Sequence, residues 1–238
     1  MTKSNRHIQS VERAMALLEC LNSNPSGMPL ATLCEMCGLS KSTAHGLLRT
    51  LVDMGYASNI DNHYQLGART LTLAPSQTRV EETIELFTPA LHAFNDICQQ
   101  QSYLAIPSGT RSFLILESLD AHGRHSVLTS DAQRDAVRTS AIGKIFMAND
   151  STLVRQVRRN GPLSQSLENE IRLVGARGFA FDQGESCAGI HCLAIPLRYK
   201  GAFVGALGIS GSEDEMPSTW MLSTVKTVLA KLGSATSL

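Results

Sequence analysis

No stretch of this 238-residue sequence approaches the roughly 18 uninterrupted apolar residues that a membrane-spanning helix needs. The opening Met1-Thr2-Lys3-Ser4-Asn5-Arg6-His7 leads into an amphipathic segment and lacks the apolar core of a secretory signal, so a cytoplasmic chain without membrane contact is expected. Net charge is lacking too. Because 21 basic residues balance 21 acidic ones, no global field marks a nucleic-acid binder, and any basic surface has to be local. Cysteine is sparse: Cys20, Cys34, Cys37, Cys98, Cys187 and Cys192 are too few for a disulfide scaffold, and several fall in apolar helical patterns where a reduced thiol is a small hydrophobe. Internal repeats and low-complexity segments are absent. What is present, 43% apolar and 18% charged residues, is the composition of a globular chain long enough for two modest domains.

The first 74 residues have a rhythm of their own. Ile8, Val11, Ala14, Met15, Leu17, Leu18 and Leu21 recur at helical spacing until the loop at Asn22-Ser23-Asn24-Pro25-Ser26-Gly27. A short helix is expected from Leu30 to Cys37, stopped by Gly38, and a third behind Ser40, whose hydroxyl can cap the next turn. Two short strands around Asp61-Asn62 then read as a small hairpin, or wing. From Thr70 to Gln101 the pattern turns helical through Val80, Ile84, Leu86, Leu91, Phe94 and Ile97, with interruptions expected at Pro75 and Pro89. Residues 75–101 are read as a linker helix whose apolar stripe suits pairing. Residues 102–238 alternate strands and helices. They include a helix from Ser140, another over Leu167–Arg177, a hairpin joining Cys192–Tyr199 to Ala202–Ser210, and a closing helix Ser218–Leu232. That order predicts an α+β domain with a largely antiparallel sheet.

The helix behind Ser40 divides cleanly by angle. At about 100° per residue, Ala44, Leu47, Leu48, Leu51, Val52 and Met54 share one continuous face. The opposite arc carries Lys41, Ser42, Thr43, His45, Gly46, Arg49 and Thr50, with Lys41, His45 and Arg49 on one ridge and no acid between Glu35 and Asp53. Short polar and basic side chains on such a face suit the major groove of DNA, where Ser42, Thr43 and His45 near the N-terminal end would meet base edges. Lys41, Arg49, and Asn62 and His63 of the wing would contact phosphates, with Lys3 and Arg6 as further candidates. The same spacing also describes a structural helix with a solvated face.

The run Ile8-Gln9-Ser10-Val11-Glu12-Arg13-Ala14 with Leu17-Leu18, followed by Gly38-Leu39-Ser40-Lys41-Ser42-Thr43-Ala44-His45-Gly46-Leu47-Leu48, resembles the winged helix-turn-helix of IclR-family bacterial transcriptional regulators. The likeness continues through Gly55-Tyr56 and Tyr64-Gln65-Leu66-Gly67. It resumes at Thr139-Ser140-Ala141-Ile142-Gly143-Lys144, Arg177-Gly178-Phe179-Ala180-Phe181-Asp182, Gly189-Ile190-His191-Cys192-Leu193-Ala194-Ile195-Pro196 and Ile209-Ser210-Gly211. The resemblance implies an N-terminal winged helix-turn-helix, a helical linker and a C-terminal GAF-like domain that binds a small organic acid or aromatic metabolite. It further implies a homodimer or dimer of dimers on double-stranded operator DNA, more commonly as a repressor. The family pocket maps onto Ser140, Ala141, Ile142, Asp182, Cys192 and Ser210, with Glu185 at a neighbouring acidic position. Amides opening the helix after Ser140 suit a carboxylate. Cys192 equally reads as a buried strand thiol, and Asp182 and Ser210 as turn caps. The sequence departs from the family at Gly208, where serine is frequent, at Arg138, where histidine or tyrosine is common, and at Ala136, where proline is usual. Arg138 suits either a bidentate contact to an anionic effector or a surface position. Residues 149–167 look shorter than usual for the family.

Other classes find weaker support. Gly143-Lys144 lacks the preceding glycine and the following Ser or Thr of a phosphate loop, and Gly208-Ile209-Ser210-Gly211-Ser212 sets its first glycine out of place for a nucleophile elbow. No enzyme and no cofactor are expected. A metal- or thiol-dependent sensor using Cys187, His191 and Cys192 is the main alternative, with Cys34 and Cys37 as a weaker pair.

Overall fold

The computed structural model describes residues 8–73, 78–126 and 136–233. Two compact units emerge, Met1–Gln77 and Thr78–Leu238. In the first, α1 (Gln9–Asn22), α2 (Leu30–Cys37) and α3 (Lys41–Asp53) pack around Leu17, Leu21, Leu33 and Leu48. Gly38 ends α2 in the left-handed conformation at φ 62°, and Ser40 Oγ accepts the Thr43 amide at 3.3 Å to start α3, as their positions in sequence predict. The wing strands β2 (Ala57–Ile60) and β3 (His63–Leu66) turn through Asp61 and Asn62, both at positive φ, as a two-residue hairpin loop demands. A further strand, β1 (Met28–Pro29), pairs Met28 with Tyr64 and makes the wing a three-stranded sheet.

The second unit opens with α4 (Thr78–Cys98), preceded by a 3₁₀ turn over Ala68–Leu73. The helix is shorter than the expected Thr70–Gln101 run, and it passes through Pro89 without a break. Pro89 lies on the exposed side, while Phe87, Ala90, Leu91 and Phe94 are locked into the core, and their burial outweighs one missing amide bond. Pro75 lies outside the described residues. The apolar stripe read as a pairing surface is largely consumed in this core, with Leu91 and Phe94 fully buried, though Leu86 remains exposed.

The sheet consists of β4 (Gln101–Ser108), β5 (Ser112–Leu119), β6 (Ala180–Gln183), β7 (Ile190–Tyr199) and β8 (Ala202–Ser212). Its order is β5-β4-β8-β7-β6, with every pairing antiparallel. Strand alternation sorts its residues by size. Leu193, Ile195, Leu197, Leu207 and Ile209 face α4 and α9 (Ser218–Leu232), whereas Ala105, Ala180, Ala194 and Ala206 face the opposite layer. That layer holds α5 (Ala136–Thr139), α6 (Ala141–Asn149), α7 (Ser151–Arg159) and α8 (Gln165–Arg177). The alanine face admits α6 closely: Ile142 occupies the space that a Cβ on Gly208 would need, 2.6 Å from its Cδ1. No helix among the described residues is long and apolar enough to cross a membrane.

Gly67 is the tightest packing point of the wing. A Cβ there would stand 2.2 Å from the Gly55 carbonyl oxygen, which is backbone and cannot rotate away. Gly67→Ala is expected to destabilise the first unit by about 1–3 kcal/mol. Chemical unfolding followed separately by wing and sheet probes should show the loss in the first unit alone.

Candidate nucleic-acid interface and effector site

Both candidate surfaces are built by short polar signals set on apolar elements. On α3, Ala44, Leu48 and Leu51 are buried in the first unit's core, and Lys41, Ser42, His45 and Arg49 project into solvent from the other face. Thr43 is half-buried, and its hydroxyl lies 2.9 Å from Ser40 Oγ, so it belongs partly to the cap. Thr50 turns its hydroxyl back to the Gly46 carbonyl at 3.0 Å. Gly46 has no neighbour within 4 Å of a notional Cβ, which leaves the middle of the exposed ridge bare. Asn62 and His63 stand exposed on the wing, where His63 Nδ1 lies 3.1 Å from the Asp61 carbonyl. Lys3 and Arg6 lie outside the described residues.

In the second unit, cross-strand register brings Asp182, Cys192 and Ser210 into one row, continued by Gln101 on β4. The first amides of α6, on Ala141 and Ile142, open the helix packed over this face at the positive end of its dipole. The side chains differ in how far they are already engaged. Ser140 Oγ donates to the Ala136 carbonyl at 2.6 Å and accepts the Gly143 amide at 3.1 Å, which makes it a helix cap. Asp182 is fully buried; Oδ1 accepts the Glu185 and Ser186 amides at 2.8 and 3.3 Å, and Oδ2 accepts from Ser186 Oγ. Its carboxylate therefore holds the loop after β6. Ser210 Oγ and Cys192 Sγ remain on the half-buried sheet face.

Two residues of this site escaped the sequence reading. Tyr103, opposite Gly208 on β4, brings its phenol oxygen to 2.6 Å from Ser210 Oγ, and burial raises its pKa. Strand alternation was the available signal, since Tyr103 shares a face with Ala105. Lys144, wholly buried on α6, directs Nζ to the Phe181 carbonyl at 3.0 Å, Glu185 at 2.6 Å and Glu170 at 3.0 Å. A lone lysine inside Ala-Ile-Gly-Lys-Ile-Phe-Met was its signal.

Arg138 is half-buried and engaged with backbone. Its guanidinium donates to the carbonyls of Val157, Gly161 and Pro162, so it caps the end of α7. The metal-sensor alternative is not supported by the geometry. Adjacent strand positions send His191 and Cys192 to opposite faces, His191 Nδ1 is set on the Met216 carbonyl at 2.8 Å, and Cys187 stands exposed on the loop. Among the described residues no three His, Cys, Asp or Glu side chains come together as a metal site.

Comparison with known proteins places this architecture. The profile of the IclR helix-turn-helix domain matches residues 10–60, and that of the bacterial transcriptional regulator IclR C-terminal domain matches residues 78–237. The chain belongs to the IclR family. It is 30% identical over 247 aligned positions to the glycerol operon regulatory protein of Streptomyces griseus, covering 93% of each chain. It is 21% identical to the transcriptional repressor IclR of Escherichia coli, covering 86% of this chain and 80% of that one. Its fold matches the crystal structure of an IclR homolog from Microbacterium hydrocarbonoxydans complexed with 4-hydroxybenzoate, with a TM-score of 0.63 at 20% identity, covering 95% and 98% of the two chains. The Thermotoga maritima IclR structure matches with a TM-score of 0.58 at 17% identity, covering 97% and 98%. As an IclR-family member the chain is a DNA-binding transcriptional regulator.

The three thiols of the second unit differ in reactivity. Burial pushes Cys192 up to about 12, helped by the nearby Asp182 and Cys187 charges, and pushes Cys98 up to about 12 as well. At pH 8 each would be thiolate only about one part in 10⁴. Alkylation of the native protein at pH 8 should therefore label exposed Cys187 well before Cys192 or Cys98, as mapped by peptide mass.

Proposed function

We propose that this regulator is a repressor whose operator affinity is set by a small organic or aromatic acid bound against the α6-facing side of the sheet. The observation that carries the DNA half is the acid-free ridge of Lys41, His45 and Arg49, exposed on a helix whose opposite face is core. Bare Gly46 lets that helix approach a groove closely. Ser42, Thr43 and His45 would then meet base edges, while Ser40, Lys41, Arg49, Asn62 and His63 hold the phosphates.

For the effector half, the amides of Ala141 and Ile142 would receive a carboxylate, and Cys192, Ser210 and Tyr103 would line the remainder with a thiol and two hydroxyls. Ser140 and Asp182 act one step back, by capping α6 and by holding the loop after β6. A homologous fold that carries 4-hydroxybenzoate supports an acid of that size. A pseudo-palindromic operator would require a homodimer or a dimer of dimers, and binding of the acid would shift the population between arrangements of differing DNA affinity.

The test begins with a duplex that the purified protein selects from a random-sequence pool. Titration with this duplex and with unrelated DNA at two salt concentrations should give tighter binding to the selected sequence at both. Adding 4-hydroxybenzoate and shorter carboxylates in turn should then release the duplex for at least one acid. Equal affinity for both DNAs at both salts would sink the DNA half, and no response to any acid in the panel would sink the effector half. Arg49→Ala should weaken both DNAs by the same factor, roughly 3- to 10-fold, and reduce the salt slope by about 1. A loss confined to the selected duplex would assign Arg49 to base reading instead.

A further inference from the structure

Cys20 and Cys37 bring two thiols together in the first unit, and nothing in the DNA or effector reading uses them. Cys20 lies on α1 at 8% exposure, and Cys37 is the half-buried last residue of α2. Their sulfur atoms are 3.3 Å apart, and the Cys37 thiol also lies 3.8 Å from the Ala16 carbonyl. A disulfide holds its sulfurs at about 2.05 Å, so closure needs an approach of little more than an ångström. Cys98 lies in the core of the second unit and Cys192 on its half-buried sheet face, while exposed Cys187 stands on the loop with its thiol 3.9 Å from the Ala188 carbonyl.

We propose that Cys20 and Cys37 are a redox site, closed to a disulfide by a hydroperoxide and reopened by a dithiol, and that closure weakens DNA binding. The more exposed Cys37, as thiolate, attacks one peroxide oxygen. The O–O bond breaks, Cys37 becomes a sulfenic acid, and the second oxygen leaves as hydroxide or alkoxide and takes up a proton. The Cys20 sulfur then displaces hydroxide from the Cys37 sulfur, and the Cys20 proton leaves with it as water. Two electrons pass from the paired sulfurs to the peroxide bond, and two thiols are consumed for each disulfide.

The consequence for DNA rests on α3 as the groove-facing helix. Cys37 is followed by Gly38 in the left-handed conformation, by Leu39, whose amide bonds the Cys34 carbonyl at 2.9 Å, and by the Ser40 cap of α3. Only three residues, Gly38 to Ser40, join the end of α2 to the start of α3. Drawing the end of α2 toward α1 moves the start of α3, and a shift near an ångström exceeds the distance window in which hydrogen bonds to base edges form.

The test uses the full chain with Cys187→Ser, which removes the exposed thiol as a source of links between molecules. Reduced protein is treated with hydrogen peroxide, remaining thiols are blocked, and the chain is cleaved after Glu35, which separates Cys34 from Cys37. A bond between the fragment holding Cys20 and the one beginning at Met36 is expected. It should persist in Cys34→Ser and vanish in Cys37→Ser and Cys37→Ala. Oxidised protein should bind the duplex selected by reduced protein about tenfold more weakly, a difference of 1.4 kcal/mol, and dithiothreitol should restore affinity. Absence of the cross-link, or a cross-link that leaves affinity unchanged, would overturn the proposal. So would a peroxide effect of the same size in Cys37→Ala, which also covers the case where serine disturbs the packing of α1 on α2. Should reduced protein select no duplex, the reading of α3 fails, while fragment mapping still decides whether the disulfide forms.

Discussion

The second unit is organised around one ammonium group. Lys144 Nζ is sealed from solvent and has three hydrogens to place, and it finds three acceptors: the Phe181 carbonyl, Glu185 and Glu170. These belong to β6, to the loop that follows it and to α8, so a single charge on α6 fixes the position of three other segments. An unpaired ammonium in this setting would be strongly destabilising, and complete satisfaction is what makes the arrangement tolerable. Asp182 works on the same loop from the sheet side, accepting the Glu185 and Ser186 amides. The loop after β6 is thus held from two directions, by the Lys144 ammonium through Glu185 and by the Asp182 carboxylate.

The sheet's two faces serve different purposes because of residue size. Leucine and isoleucine side chains on one face interlock with α4 and α9, while alanines and Gly208 on the other let α6 settle close enough for Ile142 to rest on the bare Cα. Gly208 thus contributes room for a side chain of the protein itself. The hydroxyl chemistry of this face comes from Ser210 and Tyr103.

What the sequence revealed follows the range of the forces involved. The end of α2, the start of α3 and the β7–β8 hairpin are written in local signals: a glycine stop, a serine cap, period-two alternation around Lys200-Gly201. β1 is two residues long and has no period to detect, and its pairing with Tyr64 joins positions 36 apart in sequence. Helix α7 was missed because Leu153 and Val157 are its only buried residues, set among arginines that mask the pattern. The row of Asp182, Cys192 and Ser210 was legible through family likeness. The engagement of Asp182 with its loop, of Arg138 with the end of α7 and of Tyr103 with Ser210 was not, because each depends on where distant backbone arrives in space. Pro89 shows the opposite balance, a strong local signal overruled by burial of Phe87, Ala90 and Leu91.

Helix α4 also has a mechanical property. Its buried anchorage begins at Phe87, while Glu81, Glu82 and Glu85 in the turns before it are exposed. Twenty-one residues at 1.5 Å each make a rod of about 30 Å, clamped along its far half by the sheet. The nine residues before Phe87 form a free arm of about 14 Å, so a tilt of roughly 5° at the clamp sweeps the near end through about 1 Å. The element that opens the second unit is therefore a lever, with a free arm before Phe87 and its fulcrum in the leucine- and isoleucine-rich core that α4 shares with α9.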